Sequence, residues 1–401
     1  MIILVFVLTM LDICFGSAII EIWATENGKT TKAVFTGDLG NNDLPLLDSP
    51  TMISNADYLV MESTYGNRLH MRNDEKANLF LDIVSETLDK GGTVVIPSFA
   101  VGRTQEILYE LDKIKDDRAQ IDEVFAEKYQ TLMRAPVYVD SPLAISATEI
   151  FKKNTDLFED EIKEKIESGD NPLEFPGLRF TVTAEESKEL NESDEACIIL
   201  SASGMCEVGR IKHHLKHNLW NPNSTILFVG YQAPGTLGRT IVDGAKKVKI
   251  FGEEIAVNAR VEYIEGYSGH ADQEWLLNFV YSFTDKPKNI FLVHGEPEGQ
   301  EVLKQKIEEA VEVPVIIPEF GESYELTGEG VQKLELSERV QMFNAEFIRL
   351  DLIDRIEKMK DDIEELENSV KEESFETNNE DIKTLSNRIK DIELQIANLM
   401  R

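Results

Sequence analysis

Apolar and polar positions alternate in short blocks along most of the chain, and the period changes near its end. The run Ile19, Ile20, Ile22 and Trp23, the polar turn Glu26-Asn27-Gly28-Lys29 and the run Ala33-Val34-Phe35 predict a strand, a tight turn and a second strand. Tyr58-Leu59-Val60-Met61 predicts another buried strand, and a helical pattern follows from about Glu75 to Lys90. Thr93-Val94-Val95-Ile96-Pro97, Val137-Tyr138-Val139-Asp140, Ala196 to Leu200 and Thr225 to Val229 read as buried strands separated by helices, an order that builds a parallel sheet. Val261 to His294 repeats the design as strand, small-residue turn, helix and strand, so the body is expected to be an α/β protein of two lobes.

The C-terminal pattern is different in kind. Leu352, Ile356, Met359, Ile363, Leu366 and Val370 recur at alternating spacings of three and four, as do Ile382, Leu385, Ile389, Ile392, Ile396 and Leu399, with a polar stretch from Lys371 to Glu380 between. Two heptad helices joined by a hydrophilic turn predict an antiparallel helical hairpin or a dimerising coiled coil, able to join a second copy or a partner protein.

Composition narrows the class. With 401 residues, 42% of them hydrophobic, the chain can fill two or three cores, which excludes wholesale disorder. Its net charge of −33 excludes a protein that coats nucleic acid by bulk charge but leaves room for an enzyme with a local phosphate-binding cleft. Cys14, Cys197 and Cys206 are too few and scattered for a disulfide framework, which points to a reducing, cytoplasmic setting. The apolar stretch Met1 to Ile13 lacks the basic flank of a signal peptide and is too short to span a bilayer, so a core strand or a misplaced start is expected and no membrane role.

Candidate chemistry sits where strands end. Asp38 lies between two glycines after an apolar strand, Glu62 closes another, and His270 and His294 follow small-residue turns, although only six histidines exist in the chain. Singly each of these could be structural; two histidines and two carboxylates at equivalent strand ends favour a site. His213, His214 and His217 sit at helical spacing, but the glutamate of a zinc protease is absent, so a basic helix face is the preferred reading over a metal site. His70 shows nothing beyond a polar loop. Three strand-end loops carry small residues and an arginine: Ser98 to Arg103, Ser201 to Met205 with Arg210, and Tyr231 to Arg239. Backbone N–H groups plus one guanidinium suit a phosphodiester oxygen, so Arg103, Ser203, Arg210 and Arg239 are expected to bind substrate.

Six segments occur in an order that resembles a known family: Phe35-Thr36-Gly37-Asp38-Leu39-Gly40, Glu62-Ser63-Thr64-Tyr65-Gly66, Pro97-Ser98-Phe99-Ala100-Val101-Gly102-Arg103, Ser201-Ala202-Ser203-Gly204-Met205, Gly266-Tyr267-Ser268-Gly269-His270-Ala271-Asp272 and Val293-His294-Gly295-Glu296. They are similar to the β-CASP branch of the metallo-β-lactamase fold, the RNA-processing nucleases related to the cleavage and polyadenylation endonuclease. The resemblance runs from about Gly16 to Glu325 and implies an α/β protein, a metallo-β-lactamase αββα sandwich with an inserted β-CASP cassette. On it, residues 1–66 form the first part of the metallo-β-lactamase domain and 67–243 the cassette. Residues 244–325 form the second part, with the RNA-metabolising motif, and 326–401 the helical hairpin. A two-zinc phosphodiesterase acting on RNA is implied, with Asp38 and His294 on the metals and His270, oriented by Glu62, as general acid.

The chain departs from that pattern upstream. Nothing like the early Asp or the His-x-His-x-Asp-His loop precedes Gly16, and aligning on Gly16-Ser17-Ala18 puts Ile13 where a ligand histidine belongs. Asp38 and His294 alone remain of the implied metal ligands, so the sandwich is expected to be incomplete at the N-terminus and zinc to bind poorly. A truncated or frameshifted start is expected ahead of a strand that caps the remnant, and apolar sheet surface is expected to be exposed. A ribonuclease impaired in this form is the reading; the alternative is a non-catalytic RNA- or partner-binding remnant. Residues 338–401 hold only 10 basic and 17 acidic residues, so most of the negative charge falls on the body. RNA binding is therefore expected to be weak, local and salt-sensitive.

Overall fold

The computed structural model describes residues 3–10, 17–41, 46, 49–118, 125, 129–233, 235–265, 267–334 and 349. The expected helices at 352–399, both ends of the opening apolar run and Gly266 lie outside them. One compact unit comprises Met1–Ile250 with Glu254–Glu335; the other comprises Phe251–Glu253 with Leu336–Arg401 and falls almost wholly outside the described residues.

The first sheet starts as local antiparallel structure. Strand β1 (Ile3–Met10) pairs with β2 (Ala18–Glu26), which turns at Asn27 and Gly28 into β3 (Lys29–Phe35). Both turn residues have positive φ, +52° and +79°, the geometry that a two-residue hairpin needs to match strand twist. Nothing lies within 4 Å of a Cβ added at Gly28, so Gly28→Ala should cost only backbone strain, about 1–2 kcal/mol of unfolding free energy. An unchanged urea midpoint would contradict that turn.

Beyond β3 the sheet becomes parallel and non-local. Strand β4 (Tyr58–Glu62) pairs with β3 and is followed by α1 (Asn73–Asp89) and the long insertion described next.

That insertion is a sheet of its own. Its strands are β5 (Val94–Pro97), β6 (Val137–Val139), β7 (Leu178–Phe180), β8 (Ile198–Ser201), β9 (Thr225–Phe228) and β12 (Arg260–Tyr263). They run parallel in the order β12-β9-β5-β8-β6-β7. Between them lie α2 (Arg103–Asp112), α3 (Gln130–Arg134), α4 (Pro142–Lys153), α5 (Asp160–Glu167), α6 (Ala184–Glu192), α7 (Ile211–Asn218) and α8 (Leu237–Val242), while β10 (Lys247–Ile250) and β11 (Glu253–Ala256) form a separate two-stranded sheet. Val94 and Ile96 pack with Val84 of α1 and Ile107 and Leu111 of α2, while Val95 packs with Ile211 and Leu215 of α7. Cover on both faces is why these strands read as unbroken apolar runs. The strand at 260–263, read from sequence with the segment leading to His294, hydrogen-bonds to β9 instead.

The chain then returns to the first sheet through α9 (Gln273–Tyr281), β13 (Asn289–Val293), α10 (Pro297–Val311) and β14 (Val315–Ile316), completing the order β1-β2-β3-β4-β13-β14. Ile19, Val34, Leu59, Met61, Ile290 and Leu292 alternate onto one face and pack on Leu276 and Phe279 of α9 and Leu303 and Ile307 of α10. Part of the other face is covered by a hairpin of β15 (Tyr324–Thr327) and β16 (Gly330–Lys333), where sequence placed the start of the C-terminal helices. The reason is specific: the buried Tyr58 hydroxyl donates to the carbonyls of Thr327 and Gly330, and Tyr324 meets Phe291 edge-on at 5.3 Å. Val5, Val7 and Ile20 at the β1 side stay exposed, at 50%, 42% and 39%, as expected of this sheet.

The expected α/β class with an inserted parallel sheet is observed: a mixed sheet is interrupted in sequence by a parallel sheet covered on both faces. Residues 3–10 form a strand, whereas the rest of the opening apolar run is outside the described residues. Among the described residues no helix is long and apolar enough to cross a membrane.

Candidate active site

Strands β3, β4 and β13 are mutually parallel, so their C-terminal ends share one sheet edge. The row Phe35–Val60–Phe291 fixes their register. Asp38 then lies three residues past Phe35, Glu62 two past Val60 and His294 three past Phe291, which brings residues far apart in sequence to one place.

The fourth member arrives on a loop zipped to the first. Ala271 N–H donates to the Leu39 carbonyl and Asn41 N–H to the Gly269 carbonyl, both at 2.8 Å, so the Asp38 and His270 turns pair across an isolated bridge from Gly40 to His270. Asp272 then caps α9, accepting from Trp275 N–H at 2.9 Å. His294 has φ +50°, and Ser63 holds its turn from both sides: Ser63 N–H donates to the His294 carbonyl and Ser63 Oγ to the Val293 carbonyl. A Cβ at Gly295 would stand 2.5 Å from Ser63 Oγ, so this close approach requires glycine.

Glu62, almost fully buried, accepts from His270 Nδ1–H at 2.9 and 3.0 Å. Burial by itself would lower the His270 imidazole, but the hydrogen bond and charge of Glu62, with Asp38 adding, raise it above its ordinary value. His270 and His294 stack with ring centroids 5.6 Å apart, Thr64 Oγ1 is 3.1 Å from His294 Nδ1, and Asp38 Oδ1 is 3.5 Å from the same nitrogen. One ligand atom each from Asp38, His270 and His294 falls within 4.8 Å of the others, the one such cluster among the described residues.

All four sequence candidates for the chemistry therefore converge. The substrate-binding candidates are distributed differently. Strands β9, β5 and β8 are neighbours, so the three small-residue loops stand side by side at one edge of the inserted sheet. Arg103 is buried and paired with Glu106, and Arg239, on the surface, pairs with Asp243 at 2.9 Å. Arg210 donates to Asp140 at 2.6 Å and to the Thr181 and Val182 carbonyls at 2.9 and 3.0 Å, while Ser203 Oγ accepts from Glu207 N–H.

Two readings change. His70 is no bystander: its Nε2–H donates to the His270 carbonyl at 2.9 Å, its backbone N–H donates to Asp272 Oδ2, and its ring meets Tyr65 at 5.0 Å. The short Gly-Asn-Arg-Leu stretch before it gave no periodic signal, because its partners are 200 residues away. His214 is not on a basic face but fully buried, with Nε2 2.6 Å from Asp140 Oδ2 and Nδ1 2.8 Å from Asn191 Oδ1; His213 and His217 alone are exposed on that helix. A strand-end carboxylate, Asp140, was the missed signal.

Comparison with known proteins follows the same lines. Residues 104–241 match the Beta-Casp domain and 254–318 the Zn-dependent metallo-hydrolase RNA specificity domain. A ribonuclease of Thermus thermophilus is 37% identical over 310 residues, 74% of this chain and 67% of that one. An RNase J-like protein of Methanocaldococcus jannaschii is 33% identical over 310 residues, 76% of this chain and 67% of its own length. The transcription termination factor FttA of the same archaeon is 34% identical over 291 residues, which are 70% of this chain but only 43% of that protein's length.

Proposed function

Because the chain belongs to the β-CASP family of metallo-β-lactamase-fold RNA-processing nucleases, we propose that it hydrolyses RNA phosphodiester bonds with zinc, Asp38 and His294 holding the metal and His270 giving the leaving oxygen its proton. The observation that carries this is the Glu62–His270 pair facing Asp38 and His294 on one sheet edge. With Nδ1–H committed to a buried carboxylate, the ring is held in one orientation and its other nitrogen is the one left for substrate.

The donors suit zinc in kind, a carboxylate and imidazoles within 4.8 Å, and fall short in number for two ions among the described residues. When bound, zinc brings the pKa of a coordinated water to about 7 and so supplies hydroxide. Glu62 fixes His270, Thr64 and Ser63 fix the His294 turn, and the paired loops at Leu39 and Ala271 hold Asp38 opposite. For the RNA strand, Ser203 and Arg239 are the direct contacts we assign; Arg103 and Arg210, committed to Glu106 and Asp140, shape their loops.

On this assignment two donors remain for the metal, one fewer than an open catalytic zinc uses. The purified 401-residue chain is expected to retain fewer than two zincs after dialysis, to cleave single-stranded RNA only with added zinc, and to stop on chelation. Two tightly held ions would overturn the weak-loading expectation. RNA binding without cleavage at saturating zinc would favour the second reading, a non-catalytic RNA-binding member, which the shortage of donors supports.

A further inference from the structure

The loop after β5 carries a second feature that the hydrolytic groups do not use. Phe99 is 47% exposed, and a lone exposed Phe on a protein surface is ordinary. This one is built in. Thr104 donates to the Phe99 carbonyl twice, from N–H at 3.2 Å and from Oγ1 at 2.7 Å, and Ser98 N–H donates to the Ser201 carbonyl at 3.1 Å.

The ring rests on two glycines from neighbouring loops. A Cβ at Gly204 would stand 3.2 Å from Cδ2 and 3.3 Å from Cε2 of Phe99, and one at Gly230 would stand 4.0 Å from Cε2. The Gln232 side-chain amide ties those glycines together, donating to the Gly204 carbonyl at 2.9 Å and the Gly230 carbonyl at 3.0 Å. Thus the Cδ2–Cε2 edge of the ring is seated against two glycines. The next residue, Tyr231, donates its hydroxyl to Glu296 at 2.8 Å, two positions past His294, so this seat is connected directly to the hydrolytic site.

We propose that Phe99 is a stacking platform for an unpaired nucleobase of the RNA strand whose phosphate is presented to His270 and His294. The inference rests on the RNA reading above and adds where a base is held. A rigid aromatic ring at solvent level offers its π-face to any base, which suits a strand recognised without regard to sequence. It also supplies attraction that does not depend on charge, in a chain whose net charge of −33 repels RNA.

The test is equilibrium anisotropy of a labelled single-stranded RNA octamer with the full chain and chelator present, so that no cleavage occurs. Phe99→Leu, which keeps apolar bulk but not the ring, should weaken binding about 5- to 100-fold, while Phe99→Trp should stay near wild type. In octamers with one abasic ribose moved along the strand, one position should weaken wild-type binding and leave Phe99→Leu unaffected. If wild type binds the octamer, Phe99→Leu binds it equally and no abasic position matters, the platform is wrong and the RNA reading stands. If wild type fails to bind the octamer even at low salt, both fall together.

Discussion

His270→Ala is expected to lower RNA cleavage at saturating zinc by about 10²- to 10⁴-fold, the usual contribution of a positioned proton donor. Glu62 is almost fully buried at the end of β4 and has its carboxylate within 2.9–3.0 Å of His270 Nδ1, so the ring enters the site already oriented and with its proton favoured. His70 fixes the same residue through the main chain, by its hydrogen bond to the His270 carbonyl. Removing the ring therefore removes the group for which two other side chains are arranged. RNA affinity should change little, because the proposed contacts to the strand, Ser203, Arg239 and Phe99, lie on other loops. Zinc content decides between two roles: His270 is also within 4.8 Å of Asp38 and His294 atoms. If the rate falls and zinc content is kept, His270 is the proton donor; if zinc is lost in parallel with the rate, it is a ligand and the assignment is wrong. Single-turnover assays with excess protein are the suitable measurement, since slow turnover is expected of a site with few donors.

The site was legible in the sequence because its residues mark strand ends. Asp38, Glu62 and His294 each follow a short apolar run, and parallel strands carry such residues to a common edge whatever lies between them. The Asn27-Gly28 hairpin and the unbroken apolar runs at 94–97 and 225–228 were legible for equally local reasons. What escaped depends on partners far along the chain. Leu178–Phe180 is a three-residue strand with no periodicity to detect, and Arg260–Tyr263 carries no mark of which sheet it joins. The hairpin at 324–333 owes its place to Tyr58, some 270 residues earlier, and His70 owes its role to a carbonyl 200 residues later. The histidine cluster misled for a related reason: spacing shows that His213 and His217 share a face, but only packing shows that His214 points inward to a carboxylate.

That carboxylate carries the largest stability effect expected in the molecule. Asp140 is fully buried at the end of β6, and its two oxygens accept four hydrogen bonds: from Thr181 and Arg210 on Oδ1 at 2.7 and 2.6 Å, and from Ser187 and His214 on Oδ2 at 2.5 and 2.6 Å. Asp140→Ala would leave the buried His214 ring without its hydrogen-bond partner and a largely buried guanidinium without its counter-charge, at a cost of about 3–5 kcal/mol. The loss should reach the edge proposed to face RNA as well, because Arg210 ends the segment that carries Ser203 and Gly204, the seat of Phe99. Its pH dependence has a definite sign. Burial alone would raise the Asp140 carboxyl, but the hydrogen bonds from His214, Ser187 and Thr181 and the charge of His214 outweigh it and hold the group well below the ordinary range. A depressed carboxylate contributes its full stability above the unfolded value of about 3.9 and loses it as pH falls below that. Urea unfolding at pH 7 should therefore show the full gap between wild type and Asp140→Ala, and the gap should narrow below about pH 4 as wild type alone loses the contribution. A gap under about 1 kcal/mol at pH 7, as for an exposed ion pair, or one that stays constant into acid, would show that the four contacts do not hold a charged carboxylate.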